Sequence, residues 1–170
     1  MITIEGFIPF HVVSVYSPAW PVAKDKLSNS SFSSIKLTQN ENVYCTELLW
    51  AALKEIDYTK KVNWIVAGDF NSSVTFDTCW GSKPRGNQEI IDRMNALGFT
   101  ECIFSKDEKL VPTFRNAKGG KVVHQMDHVY VTKNLHDSLV SCNVLDNHGI
   151  FEHSISDHLP ILCEFNLQNS

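Results

Sequence analysis

Residues 62–71 read Val-Asn-Trp-Ile-Val-Ala-Gly-Asp-Phe-Asn, and they constrain the chain more than any other stretch. Val62 to Ala67 form a short apolar run rich in β-branched and aromatic side chains, the pattern of a strand buried on both faces. Gly68 lets the backbone bend, because it carries no Cβ. Asp69 and Asn71 follow at the C-terminal end. Their spacing of two puts both side chains on one side of an extended segment. A carboxylate and a carboxamide therefore stand together at the rim of a hydrophobic sheet. An Asx turn closing the strand is the plain alternative.

The chain has 170 residues, the size of one domain. Apolar residues make up 43% and charged residues 20%, which is ordinary for a protein able to bury a core. A net charge of −4 implies no general grip on polyanions. Basic residues between Lys83 and Lys121, Arg85 and Arg115 among them, form either a local basic rim or solvated loop positions. The five cysteines (Cys45, Cys79, Cys102, Cys142 and Cys163) are odd in number and include no Cys-x-x-Cys. They fit a reduced, cytoplasmic protein with packing thiols. No apolar stretch approaches the roughly 18–20 residues that span a bilayer, and no signal peptide is evident.

Taken in order, Met1 to Ile8 and Phe10 to Tyr16 read as two strands around Pro9. Tyr16-Ser17-Pro18 breaks the second, so Tyr16 also sits at a strand end. Residues 22–40, rich in Ser, Lys and Asn, read as a variable loop whose length suggests a lid or a binding loop. Glu41 to Tyr58 predicts a helix, with Cys45, Leu48, Leu49, Ala52, Leu53 and Ile56 as its apolar stripe. Residues 72–86 are irregular, broken by Trp80, Gly81 and Pro84. A second helix is expected from Asn87 to Leu97, with Asn87 as N-cap and Gly98 as C′ residue. Short strands follow: Pro112 to Arg115, a hairpin turn at Gly119-Gly120, then Val122 to Thr132, Leu139 to Leu145, and Leu159 to Leu167. The order ββ-α-β-α-ββββ, without internal repeat, predicts a mixed sheet with helices packed on one face, an α/β (α+β) fold.

Several strand ends carry side chains that propensity does not place there. Asp127 lies inside the run Gln125 to Val131, although Asp is depleted in strands and a buried one needs a partner. Ser156-Asp157-His158-Leu159-Pro160 puts an Asp-His pair just before the final strand. Singly, Asp127 reads as a solvent-facing edge residue, Asp157 as a turn residue and His158 as a structural histidine. Together they suit other chemistry. Oxygen ligands from carboxylates and carboxamides match a hard cation such as Mg²⁺. A histidine held by a carboxylate suits proton transfer or a phosphoryl contact. Metal-assisted attack of water on a phosphate ester needs such a set. Zinc is the weaker reading. His124 and His128 have His-x-x-x-His spacing, which works on a helix, and this stretch reads as strand. His148 and His153 have no cysteine beside them at finger spacing.

These residues together resemble the endonuclease/exonuclease/phosphatase superfamily, whose fold is that of DNase I. The motifs arrive in family order: Tyr16-Ser17-Pro18, Gly68-Asp69-Phe70-Asn71, Thr113-Phe114-Arg115, Met126-Asp127-His128 and Ser156-Asp157-His158-Leu159-Pro160. The resemblance implies roles. Tyr16 would contact the scissile phosphate, and Arg115 would help bind substrate. Asp69 would orient or deprotonate the attacking water. Asn71 would hydrogen-bond the developing charge. Asp157, with Asp69 and Asn71, would bind or position Mg²⁺ or Mn²⁺. His158 would contact the phosphate or move a proton, and Asp127 would fix its tautomer.

Family members carry an Asn and a metal-binding Glu before the Tyr-x-Pro stretch. Here Glu5 is the single acidic residue upstream of Tyr16, and it lies in a strand entering the hairpin. The chain is thus expected to be one C-terminal half-domain, residues 1–170, of a two-sheet sandwich. It would supply one sheet and its two helices. The sheet's inner apolar face would be covered by a second copy in twofold symmetry or by a separately encoded N-terminal half. The expected function is a Mg²⁺- or Mn²⁺-dependent phosphoesterase acting on phosphodiesters, with nucleic acid the leading substrate class and the metal site incomplete. The alternative is a non-catalytic remnant or assembly partner that retains the fold.

Overall fold

The computed structural model describes residues 2–4, 9–56, 62–78, 85–107, 109–116, 120–145 and 149–167. Glu5, Cys79, Trp80, Lys83, Gly119 and His148, singled out above, lie outside them. In chain order the described residues form β1 (Ile2–Ile4), β2 (Phe10–Tyr16), α1 (Asn29–Ile35), α2 (Cys45–Lys54), β3 (Asn63–Asp69), α3 (Asn87–Ala96), β4 (Phe99–Glu101), α4 (Cys102–Asp107), β5 (Phe114–Arg115), β6 (Val122–His124), β7 (Asp127–Thr132), α5 (Lys133–His136), β8 (Leu139–Val144) and β9 (Ile161–Phe165). A five-stranded sheet runs in the order β1-β2-β3-β7-β4, while β5-β6 and β8-β9 form two-stranded antiparallel ribbons. Within the large sheet β2 and β3 are parallel, and every other pairing is antiparallel.

The central strand β3 is covered on both faces, as its unbroken apolar run predicts. Trp64 and Val66 pack with Leu53 of α2, Met94 of α3, Phe70, Phe99 and Tyr130. Ile65 and Ala67 point the other way, toward Ile103 of α4, Val129, Val131, Leu135 and Cys142. Alternate residues of one strand thus feed two cores. Burying side chains of this size contributes about 1.5–3 kcal/mol each. Truncating Leu53 to alanine in the first core would cost about 2–5 kcal/mol.

The second face is therefore not bare. Alpha-helix α4 and the β8–β9 ribbon lie on it, contributing Ile103, Cys142, Leu139, Val144, Ile161 and Phe165. The mixed sheet with α2 and α3 on one face is as expected, and a second layer is added to it: the last strands do not extend the large sheet but fold back across it.

Other boundaries shift for local reasons. The first predicted helix begins at Cys45, not Glu41, because Tyr44 is extended and its N–H donates to the Glu47 carboxylate at 2.6 Å. At the start of this helix the inward residues are Thr46 and Glu47, and Ala52 is exposed, so of the expected stripe Leu49, Leu53 and Ile56 face the core. The N-cap of α3 is Gly86, not Asn87. Asn87 is buried and exchanges its side-chain bonds with Ser72 and Asp77. The Asp77 carboxylate accepts the backbone N–H groups of Arg85 and Gln88 instead, satisfying donors that a helix start leaves open. Gly98 is left-handed at φ 87°, as its C′ position requires.

Residues 22–40 are not a plain loop. Ser28 accepts the Ser31 N–H and caps α1. Arg93 of α3 donates to the Ile35 and Lys36 carbonyls at 2.6 and 2.8 Å, and Glu89 accepts the Thr38 N–H at 2.7 Å. Ile35 and Leu37 are buried by this clamp.

The strand expected over Val122 to Thr132 breaks into β6 and β7, which belong to different sheets. Gln125, fully buried, causes the break. Its carboxamide accepts the Val111 N–H at 3.0 Å and donates to Glu101 at 3.1 Å, so its side chain leaves the ladder. Glu101 also caps α4 through the Phe104 N–H. Beta-strand β4 and α4 had no periodic signal of their own at these short lengths. Among the described residues no helix is long and apolar enough to cross a membrane.

Candidate active site

Strands β2 and β3 end, and antiparallel β7 begins, at one end of the sheet, in register. Tyr16 is paired with Asp69 and Asp69 with Asp127. Two carboxylates directly opposite each other destabilise a ladder. Folding alone does not place them there.

Gly68 is what permits the approach. Its φ is +139°, and a Cβ there would fall 2.1 Å from the Val15 carbonyl oxygen. Its role is thus close contact between β2 and β3 within the strand, rather than a bend after it. Asn71 follows in the left-handed region at φ 46°. Its N–H donates to Asp69 Oδ1 at 2.8 Å, and its carboxamide donates to Asp69 Oδ2 at 2.7 Å and to the Ser17 carbonyl at 2.6 Å. The Asx turn and the convergent pair are therefore one arrangement. The two side chains meet because the chain turns at Asn71, not because it stays extended. Ser17 N–H donates to the Asp69 carbonyl at 2.8 Å, and the Thr46 hydroxyl donates to the Phe70 carbonyl at 3.0 Å. These bonds tie the ends of β2, β3 and α2 together.

His158 completes the group. Its Nδ1 lies 2.8 Å from Asp127 Oδ2, and the Thr113 hydroxyl donates to the same oxygen at 2.7 Å. Thr113 Oγ1 in turn accepts the Met126 and Asp127 N–H groups at 3.1 and 3.2 Å. The segment holding His158 is fixed against β5: Leu159 N–H donates to the Thr113 carbonyl, Arg115 N–H to the Asp157 carbonyl, and the Phe114 and His158 rings sit 4.9 Å apart.

The electrostatics follow from this packing. The hydrogen bond to Asp127 raises the pKa of His158 above the ordinary imidazole value. Attraction by Asp127, Asp69 and Asp157 adds to the rise, and burial opposes it. Burial raises the pKa of Asp69, and repulsion from Asp127 adds to it, against the Asn71 amide.

Asp69, Asn71, Asp127 and His158 thus come together. Tyr16 stands beside Asp69 in register and is 73% exposed. Two expected residues do not join them. The Asp157 side chain is exposed and outside the acidic group. Arg115 donates from Nη2 to the Phe151 carbonyl at 2.6 Å and lies over the Phe151 ring. It serves to hold the 149–155 segment in place.

Asp69, Asp127 and His158 each offer a ligand atom, all within 4.8 Å of one another. Two carboxylates forced into one ladder position are relieved by a cation between them, so the residues fit a hard divalent ion. His124 and His128 form no such group among the described residues. His124 Nδ1 is 2.7 Å from the Thr75 hydroxyl, and His128 is enclosed elsewhere.

Sequence reasoning missed Thr46 and gave no role to Ser17 and Thr113, which stand in the motifs quoted above, because a hydroxyl in a strand or helix looks like an ordinary structural residue. It also missed a cavity of about 340 Å³ beside Asn71, walled by Ser17, Leu37, Arg85, Asn87, Phe114 and Met126.

No protein-family model matches the sequence, and no curated protein matches it. Solved structures do match. A 3'-5' exonuclease, NExo, from Neisseria meningitidis is similar over 95% of this chain and 62% of its own, with 19% identity and a TM-score of 0.65. An AP endonuclease from Archaeoglobus fulgidus is similar over 93% of this chain and 62% of its own, with 17% identity and a TM-score of 0.63. An endonuclease/exonuclease/phosphatase family protein from Leptotrichia buccalis is similar over 97% of this chain and 52% of its own, with 16% identity and a TM-score of 0.57. The chain therefore spans less than two thirds of the length of these structures. Across that span it has the DNase I-like fold of the endonuclease/exonuclease/phosphatase structures.

Proposed function

We propose that this chain is a divalent-metal-dependent phosphoesterase acting on phosphodiesters, with nucleic acid as its substrate class. The carrying observation is the like-charged Asp69–Asp127 pair, placed in register beside a histidine whose Nδ1 is already committed. With Nδ1 on Asp127, Nε2 is the His158 atom left to contact a phosphate oxygen or pass a proton. Asp69, its pKa raised, is suited to orient or deprotonate a water. Asn71 holds Asp69 in place. Tyr16, exposed beside Asp69, reaches the phosphate. Asp69 and Asp127 would hold Mg²⁺ or Mn²⁺, with Asp157 adding charge at the rim. When bound, the ion supplies Lewis-acid stabilisation of charge on a phosphate. The neighbours described above as an exonuclease and an AP endonuclease support nucleic acid as the substrate. The cavity beside Asn71 gives it a place to enter.

We further propose that residues 1–170 act as a half-domain whose second layer is extended by a partner. That layer holds two strands, and Val140 and Leu162 stand exposed on its outer side. A second copy or a separately encoded N-terminal half would cover it, with further metal ligands among what it brings. Cys102 and Cys142 are buried as packing thiols, which suits a cytoplasmic setting. A mass of one chain in gel filtration at micromolar concentration would count against self-association.

The test is cleavage of plasmid DNA and of bis-p-nitrophenyl phosphate with Mn²⁺, beside Asp69→Ala and His158→Ala. Hydrolysis lost in both variants supports the site, and hydrolysis unchanged in both rejects it. The engagement of Arg115 by Phe151 and the exposed Asp157 favour a second reading, a non-catalytic assembly partner that keeps the fold. Absence of hydrolysis in the parent chain, alone and with an N-terminal half of a structural neighbour, would select that reading.

A further inference from the structure

Strands β8 and β9 bring Cys142 and Cys163 opposite each other in the ladder. Their sulfur atoms lie 2.9 Å apart. A neighbouring bond fixes the type of pairing. Leu145 N–H donates to the Pro160 carbonyl at 2.9 Å, which marks 145–160 as a hydrogen-bonded pair. Hydrogen-bonded and non-hydrogen-bonded pairs alternate along an antiparallel ladder. Three steps away, 142–163 is therefore a non-hydrogen-bonded pair, whose Cα atoms approach to about 4.5 Å. That lies inside the range a disulfide needs, about 4.4–6.8 Å.

The surroundings separate the two thiols. Cys142 is buried, whereas Cys163 is partly exposed. Cys102, buried on α4, is the third thiol of the group and hydrogen-bonds to Cys163. Hydrogen bonds from Cys102 and Cys142 draw the pKa of Cys163 down and favour its thiolate, while the Cys102 thiol is pushed up. The nucleophilic, reachable sulfur is thus Cys163. Cys142 is its partner by register, on a ribbon that needs no backbone movement to close. Cys102 would join a helix to a strand.

We propose that Cys142 and Cys163 form a redox-active pair, closed to a disulfide by exchange with a small-molecule disulfide. The Cys163 thiolate attacks one sulfur of the oxidant, forming a mixed disulfide and expelling one thiolate, which takes up the proton that Cys163 released. The Cys142 thiolate then attacks the Cys163 sulfur and expels the second thiolate, which takes the proton from Cys142. One small disulfide becomes two thiols, and one protein disulfide forms. The bond would lock the ribbon that leads directly out of His158 and Leu159.

The experiment treats the whole chain with oxidised glutathione, counts thiols after denaturation, and maps linked peptides by mass spectrometry. Titratable thiols are expected to fall from five to three, with Cys142 linked to Cys163. The melting temperature is expected to rise by about 5 °C. Cys102→Ser is expected to keep the link and Cys142→Ser to lose it. Five thiols remaining, a Cys102–Cys163 link, a link through Cys45 or Cys79, or a stable glutathione adduct on Cys163 would each overturn the proposal. The mapping on the unsubstituted chain decides it even where a variant fails to fold.

Discussion

Two histidines, His128 and His158, each face a carboxylate at the same end of the sheet, and they are built for different tasks. His128 is buried among Phe70 and Tyr130. Its Nε2 lies 3.0 Å from the Ser72 carbonyl, which can only accept, so Nε2 carries the proton. Its Nδ1 lies 3.2 Å from the Gln125 amide nitrogen, which can only donate. Nδ1 also lies 3.5 Å from Glu101, so neither ring nitrogen is left open. Each polar atom of the Glu101–Gln125–His128 chain has its complement, the condition under which a buried network is stable. His158 has one committed nitrogen, partial exposure, and a second carboxylate, Asp69, within reach. The closed network is architecture, and the open one is where the proposed chemistry would take place.

Substitution should separate the two. The largest effect is expected at the open site. Asp69→Ala and His158→Ala should each lower Mn²⁺-dependent phosphodiester hydrolysis by about 10²–10⁴-fold, out of proportion to any change in melting temperature. His128→Ala should do the reverse in kind, destabilising by about 3 kcal/mol in urea unfolding, because it strands the Gln125 amide and the Ser72 carbonyl. If His128→Ala abolished hydrolysis while stability held, the distinction would fail.

Thr113→Val is the intermediate case. It removes the hydroxyl that binds Asp127 and collects two backbone amides, so a loss of about 1–3 kcal/mol is expected. It should also release His158, which NMR would show as a broadened ring signal. The smallest effect concerns titration. The His158 ring should titrate above its ordinary value of 6.5 by proton NMR, and Asp127→Asn should bring it down. For a raised pKa the stabilisation is complete below the unfolded value and disappears as pH rises through the folded one. The stability gap between the parent and His158→Gln should accordingly narrow from acid toward neutral and alkaline pH. A gap that widened instead would mean the Asp127 bond is not what shifts the ring.

The difference between the histidines also explains what could be read in advance. Asp69, Asn71, Asp127 and His158 were legible because each is a polar residue where strand propensity argues against one. Thr46 was not, and Thr113 was quoted in a motif without a role, since a threonine suits a strand or a helix surface and shows its partners only in space. Direction was equally hidden. Asp157 adjoins His158 in sequence, yet its side chain stays outside the group, because adjacent residues in an extended segment point opposite ways. The serine-rich composition of residues 22–40 concealed α1, whose support comes from Arg93 and Glu89, more than 50 positions downstream. Gln125 looked like one more strand residue until its carboxamide proved to bond outside the ladder.

The Arg93 clamp has a consequence for how this protein can diverge. It grips the chain just where α1 ends, and Leu37 and Asn40, a few residues on, wall the cavity. Everything from Lys24 to Ser34 hangs on the outer side of that grip. Mutation can rewrite that stretch, and with it whatever the rim presents to an approaching molecule, while the cavity wall stays where it is. Taste can wander in such a protein while its anatomy stands still.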